Sequence, residues 1–321
     1  MNKDARIFVA GSTGMVGSAI VRFLADKGYH SIIGTYRNRK PSAHGNVAYF
    51  QVDLMDQQAV KNFFAEQKPD YVFDAAAKVG GIVANNTYRA DFLYENLVIQ
   101  NNIIHNAYLS GVKKLLFLGS SCIYPKNAPQ PIKEDYLLTG VLEYTNEPYA
   151  IAKIAGLKMC ENYNLQYKTN FIAAMPTNLY GPEDNYDLQN SHVLPALIRK
   201  FHEAKISQAK NVTIWGTGSP LREFMHVDDL AAACVYLMEN YNGNQFVNIG
   251  WGKDISIKEL ALLIKEIVGF EGNLVFDTSK PDGTPRKLLD VSLLTSLGFN
   301  PTISLREGIA DAYKDFLQKY A

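Results

Sequence analysis

Cysteine is scarce in this 321-residue chain: Cys122, Cys160 and Cys234 stand far apart and are odd in number, which argues against a disulfide framework and suits reduced thiols. No two of them have metal-site spacing, and the histidines (30, 44, 105, 192, 202, 226) form no ligand motif, so no metal is expected. An excess of either charge is also missing. The 32 basic and 32 acidic side chains cancel, which disfavours a nucleic-acid or membrane-surface role and points to a small-molecule partner. No window approaches the roughly 18 consecutive apolar residues of a membrane span. Met1–Arg6 leads into a strand without the apolar region of a signal peptide, so a cytoplasmic protein is expected.

What is present is ordinary globular material, 47% apolar and 20% charged, enough to bury a large core. The pivotal stretch is Leu115–Pro125, an apolar run that ends in Gly119, Ser120, Ser121 and Cys122. Such a run reads as a strand buried on both faces of a parallel sheet, and ligands lie beyond the carboxyl ends of those strands. Strands and helices alternate up to about residue 180 and loosen afterwards. The expected fold is therefore α/β, a Rossmann-type doubly wound parallel sheet with a smaller C-terminal α/β substrate lobe. Residues 1–180 form the nucleotide domain, about 225–250 return to it, and 181–321 mainly form the substrate lobe.

Ile7–Ala10 runs into Gly11, Gly14 and Gly17, a G-x-x-G-x-x-G turn opening a helix. The glycines permit a tight turn, close approach of a pyrophosphate and close helix packing, while the helix N-terminus attracts the phosphates. The next strand ends in Arg37, Asn38, Arg39 and Lys40, where an NAD enzyme tends to carry an acid; basic residues suit the 2′-phosphate of NADP. Arg37 lies nearest the strand end. Tyr149 and Lys153 share one helix face, and an ammonium beside a phenol favours the phenolate and should lower its pKa. With Ser120 to hold a carbonyl, the set fits hydride transfer between NADP(H) and a carbonyl or alcohol. The helix expected over about 91–110 has more apolar surface than one sheet needs, from core packing or from a second subunit.

Gly11/Gly14/Gly17, the turn at Ala75–Ala77, Ser120 and Tyr149–Lys153 resemble the extended short-chain dehydrogenase/reductase family, which acts on nucleotide sugars. Within it, segments 76–86, 118–125, 146–153, 175–182 and 280–290 are similar to the 3,5-epimerase/4-reductases of GDP-4-keto-6-deoxy-D-mannose. The resemblance runs from about residue 5 to the end. It implies inversion at C3 and C5, then NADPH-dependent reduction at C4, in a homodimer joined by the helices near 91–110 and 149–165. It assigns proton exchange to Cys122 and His192, and reduction to Ser120, Tyr149 and Lys153. For the cofactor it implies Gly11, Ser12, Thr13, Gly14, Met15, Val16, Gly17, Arg37, Asp53, Leu54, Lys153, Pro176, Asn178, Leu179 and His192. Lys200, Trp215, Arg222 and Asp282 would hold the GDP-sugar, and His226 is read as structural. Two alternatives stay open: a relative that inverts only C5, such as a GDP-L-colitose synthase, and a non-catalytic NADP sensor. Retention of Ser120, Tyr149 and Lys153 weighs against the second.

Overall fold

A computed structural model describes residues 1–38, 41, 47–188, 191–280 and 282–320. The elements run β1 (Arg6–Ala10), α1 (Met15–Asp26), β2 (Ser31–Tyr36), β3 (Val47–Gln51), α2 (Gln57–Gln67), β4 (Tyr71–Asp74), α3 (Ile82–Thr87), α4 (Arg89–Leu109), β5 (Lys114–Leu118), α5 (Glu147–Tyr167), β6 (Phe171–Pro176) and β7 (Asn178–Tyr180). They continue with α6 (Val193–Ile206), β8 (Asn211–Trp215), β9 (Leu221–His226), α7 (Val227–Asn240), β10 (Val247–Ile249), β11 (Asp254–Ser256), α8 (Ile257–Val268), β12 (Asn273–Asp277), β13 (Arg286–Lys287), α9 (Ser292–Ser296) and α10 (Leu305–Tyr320).

Seven strands form one sheet in the order β10-β6-β5-β4-β1-β2-β3, every neighbouring pair parallel. All their carboxyl ends therefore lie on one edge, and the winding reverses between β1 and β4. Every residue of β5 and β6 is buried, as continuous apolar strands between two helical layers must be. One layer packs Ile20 and Leu24 of α1 with Leu230 and Leu237 of α7. The other packs Val60 and Phe64 of α2, Ile103 of α4 and Leu157 of α5.

A third core joins Leu197 and Phe201 of α6, Leu260 and Ile264 of α8, and Ile309 and Phe316 of α10 against Val212 and Ile214 of β8. It accompanies two small sheets, β12 with β8 and β11-β9-β13 with β7 on β9. The chain crosses between sheets at Thr177, whose neighbours belong to β6 and β7. At this seam the buried Glu223 carboxylate of β9 accepts the N–H groups of Gly252 at 2.7 Å and Leu289 at 3.0 Å. Its carbonyl accepts the Asn178 amide at 2.8 Å. One buried acid thus satisfies loops from both sides, where unpaired amides would be costly.

Candidate active site

The glycine turn follows β1. Gly11 has φ +73°, and a side chain there would lie 2.7 Å from the Ala75 carbonyl oxygen. A Cβ on Gly17 would strike the Gly11 carbonyl at 2.1 Å, whereas one on Gly14 meets protein only at 3.5 Å. Gly11 and Gly17 are thus needed by the fold itself. Gly14 is exposed, at the N-cap of α1, with an open face suited to a close-lying phosphate. Thr13 is exposed, Met15 and Val16 half-buried, and the Ser12 hydroxyl is turned inward to the Thr35 carbonyl at 3.2 Å. Arg37 is exposed at the end of β2; Arg39 and Lys40 fall outside the described residues. Asp53 caps the next turn through the Met55 N–H at 3.0 Å, and the Leu54 carbonyl accepts the Asn102 amide at 2.9 Å. Pro176 ends β6 beside Ile249, and Leu179 packs against the core from β7. After β4 the chain passes through Ala75–Ala77, and residues 82–87 wind into α3 from an N-cap at Gly81.

Beyond β5, Ser120 caps a single 3-10 turn over Ser121–Ile123, its hydroxyl accepting the Cys122 N–H at 3.2 Å. The turn sends Ser121 into the interior and leaves Ser120 and Cys122 half-exposed. The Ser120 hydroxyl also lies beside the Tyr149 phenol, close enough to act on it. Lys153, one turn further along α5, is 3% exposed. Its ammonium donates to the Leu118 carbonyl at 2.8 Å and lies 5.9 Å from the Tyr149 ring centre. The expectation of a lowered Tyr149 pKa is not met in this geometry. Burial dominates and pushes it up, the nearby Cys122 adds to that, and only the Ser120 hydroxyl opposes it. The ammonium's direct bond is to a backbone carbonyl, while burial holds Lys153 down to about 8. Below the couple lies a group missed from sequence. Asp74, last in β4 and 0% exposed, is pushed up to about 7 by burial, partly offset by the Lys153 charge. An acid ending an apolar strand looked like any strand terminus.

Cys122 forms a second cluster. Its sulfur accepts the Asn146 side-chain amide at 3.3 Å and the Lys287 ammonium at 3.8 Å. His192 is the N-cap residue of α6. Its ring touches solvent yet sits deep among protein atoms, and that burial, with the Lys287 charge second, holds its pKa below the usual imidazole value. Lys287 arrives on β13 in register with Arg222 of β9. Its segment is laid beside residues 130–132: Ile132 N–H donates to the Leu288 carbonyl at 2.8 Å, and Asp290 N–H to the Ile132 carbonyl at 2.8 Å. Buried Asn248 clamps the arrangement, donating to the carbonyls of Ile132 at 3.0 Å and Asp290 at 3.2 Å and accepting the Tyr124 hydroxyl at 2.5 Å. Neither Asn146 nor Lys287 was singled out from sequence, because their approach depends on a long-range register.

In the second lobe, Lys200 and Lys280 place ammonium groups 5.3 and 5.7 Å from the Trp215 ring centre, and Trp215 is 58% exposed. Asp282 accepts the Thr217 N–H at 2.6 Å and its hydroxyl at 2.8 Å, beside the Arg222 charge. A large exposed aromatic flanked by cations can stack a base and attract phosphates. The four residues expected to hold substrate thus fall into two adjoining pairs. His226 lies apart: its Nδ1 accepts the Asp228 N–H at 3.3 Å at the start of α7, and its Nε2 faces Asp311 at 3.4 Å.

A parallel sheet with a glycine turn, and Ser120, Tyr149 and Lys153 gathered near its carboxyl edge, is the arrangement of a dinucleotide-dependent enzyme. The chain belongs to the NAD dependent epimerase/dehydratase family, which residues 7–250 match. It is 59% identical to the putative GDP-L-fucose synthase 2 of Arabidopsis thaliana, over 99% of this chain and 93% of that one. It is 53% identical to the GDP-L-fucose synthase of Escherichia coli K12, over 98% and 97%. Among solved structures it resembles a GDP-mannoheptose C4 reductase from Campylobacter jejuni with NADP bound, at 45% identity, TM-score 0.87 and 99% coverage of both chains.

Proposed function

We propose that the chain converts GDP-4-keto-6-deoxy-D-mannose to GDP-L-fucose by inverting C3 and C5 and then reducing C4 with NADPH. What supports this reading is that Cys122 lies beside the Tyr149 phenol, and that the Lys287 approaching its sulfur also acts on His192, so two further proton-exchange groups accompany Ser120, Tyr149 and Lys153. A simple reductase needs only the last three. The curated relatives named as GDP-L-fucose synthases, with near-complete coverage, support the same substrate.

A ketone at C4 acidifies the hydrogens on C3 and C5. One of Cys122 and His192 removes such a hydrogen, and the other returns a proton to the opposite face. Ser120 and Tyr149 donate hydrogen bonds to the oxygen while it carries enolate charge. NADPH supplies hydride to C4; Gly11–Gly17, Arg37 and Lys153 would hold it, and the open face of Gly14 fits its pyrophosphate. Tyr149 then gives its phenolic proton to the C4 oxygen. A phenol kept protonated by burial suits this role of acid. Lys200, Trp215, Arg222 and Asp282 bind the GDP portion.

Among the described residues no helix is long and apolar enough to cross a membrane. We place the protein in the cytoplasm as a homodimer; exposed Tyr94 and Leu109 on α4 and Ile151, Leu165 and Tyr167 on α5 support that contact. A monomer by light scattering would remove it. The function itself is tested by incubation with GDP-4-keto-6-deoxy-D-mannose and NADPH in D2O. The expected product has L-galacto configuration with deuterium at C3 and C5. Label at C5 alone would favour a single-inversion enzyme, and NADPH binding without oxidation would sink the reading.

A further inference from the structure

The Cys122 sulfur has two N–H donors and no acidic partner among the described residues. Asn146, the residue just before α5, directs its side-chain amide at the sulfur from 3.3 Å, while its own Oδ1 is buried without a partner. Lys287 points its ammonium at the same atom from 3.8 Å. Two unrelated parts of the chain, 24 and 165 residues away in sequence, thus converge on one thiol. The convergence is built rather than incidental. Lys287 is held in register on β9, and the residues after it are clamped to the Cys122 loop through Ile132 and Asn248.

We propose that Lys287 is a positioning residue for the epimerisation: with Asn146 it surrounds the Cys122 sulfur with donors and positive charge, so that sulfur can carry the negative charge that proton exchange requires. The inference rests on the functional reading above and deepens it. When Cys122 gives its proton to carbon, the S–H electron pair stays on sulfur; when it takes a proton from carbon, that pair forms the new S–H bond. In either direction the thiolate is the state that needs help in a half-buried site. A cation within 4–6 Å favours the charged form, and N–H donors to the sulfur do the same. The same Lys287 charge opposes a proton on His192, so one side chain favours the unprotonated form of both exchange groups. Lys200, Lys280 and Arg222 have a different task, since they gather around Trp215 and Asp282 instead of the thiol.

The test is the rate of Cys122 alkylation by iodoacetamide in the full-length protein at neutral pH, without sugar, followed by mass spectrometry of the Cys122 peptide. Cys160 and Cys234 are buried, and Cys122→Ser supplies the blank. Lys287→Met should slow alkylation about tenfold, and Asn146→Ala by a smaller factor. Lys287→Arg, which keeps the charge, should stay within a few-fold of the unaltered protein. Deuterium exchange at C3 and C5 should fall in parallel in Lys287→Met, with affinity for GDP little changed. Lys287→Gln serves as a second neutral variant if Lys287→Met melts at a markedly lower temperature. Unchanged alkylation in a folded, neutral variant overturns the proposal, and more decisively if GDP affinity drops, since Lys287 would then serve the diphosphate. Slowed alkylation in a protein that turns over no keto-sugar would uphold the thiol arrangement and defeat only the functional reading.

Discussion

The two proposed proton-transfer sets differ in their surroundings. In the inner set, Lys153 is buried and Tyr149 half-buried on α5, burial disfavours the charged form of each, and buried Asp74 lies near Lys153. In the outer set, Cys122 after β5 is half-buried and His192 at the start of α6 is exposed, with the second lobe's Lys287 acting on both. The difference matches what each must do. Reduction needs one proton, released once and in one direction, and a desolvated phenol holds it until charge develops on the substrate oxygen. Epimerisation needs groups that gain and lose protons repeatedly, and contact with solvent lets them reset.

Tyr149→Phe should separate the two sets most sharply. Loss of the phenolic proton should cut NADPH oxidation by roughly a hundredfold or more. Deuterium exchange at C3 and C5 should survive in part, because Cys122 and His192 are untouched. Stopped-flow absorbance at 340 nm and NMR of the recovered sugar measure the two steps. Reduction at the original rate would remove Tyr149 from the mechanism. Cys122→Ser is the converse. It should slow exchange by about tenfold to a hundredfold, since a serine hydroxyl is a far weaker acid than a thiol, while NADPH affinity stays unchanged. If both fell together, Cys122 would be a packing residue.

How much of this contrast was readable in advance follows from range. The buried strands, the glycine turn and the Tyr149–Lys153 spacing depend on local periodicity, and each element came out within a few residues of its expected ends. The inner set was therefore legible, apart from Asp74. Its partner Lys153 lies 79 residues on (153 − 74), and only the β4–β5 pairing and the α5 packing bring them together. The outer set was legible only through family resemblance, as a pair of names. Its charge environment needed the register of β13 on β9, which no short pattern encodes. The pKa of Tyr149 went the other way from expectation for the same reason. Spacing put an ammonium near a phenol, but burial outweighs that neighbour, and burial is a tertiary quantity.

The inner set also makes a pH prediction. Lys153 is held down to about 8, so its ammonium is charged at neutral pH and loses its proton as pH rises through that value. If it supports the anionic cofactor, NADPH affinity should weaken several-fold between pH 7 and 9. Fluorescence titration measures this, and Lys153→Met should bind more weakly with a flatter profile. Equal slopes in both proteins would exclude Lys153 as the source.

The smallest effect belongs to His192. Its folded pKa lies below the ordinary imidazole value of 6.5. At pH well above 6.5 neither the folded nor the unfolded chain holds that proton. As pH falls through 6.5 the unfolded chain takes it up first, so the unfolded state is favoured and stability declines until the folded ring also protonates. The ring is open to solvent, so the decline should stay below about 1 kcal/mol. His192→Gln lacks this titration. The melting temperature of the variant relative to the unaltered protein should therefore rise slightly from pH 7 to pH 5. Lys287→Met should shrink that rise, because one of the two causes of the lowered pKa is then gone. A rise of equal size with and without Lys287 would mean that burial alone governs His192, and the outer set would lose the charge that distinguishes it from the inner one.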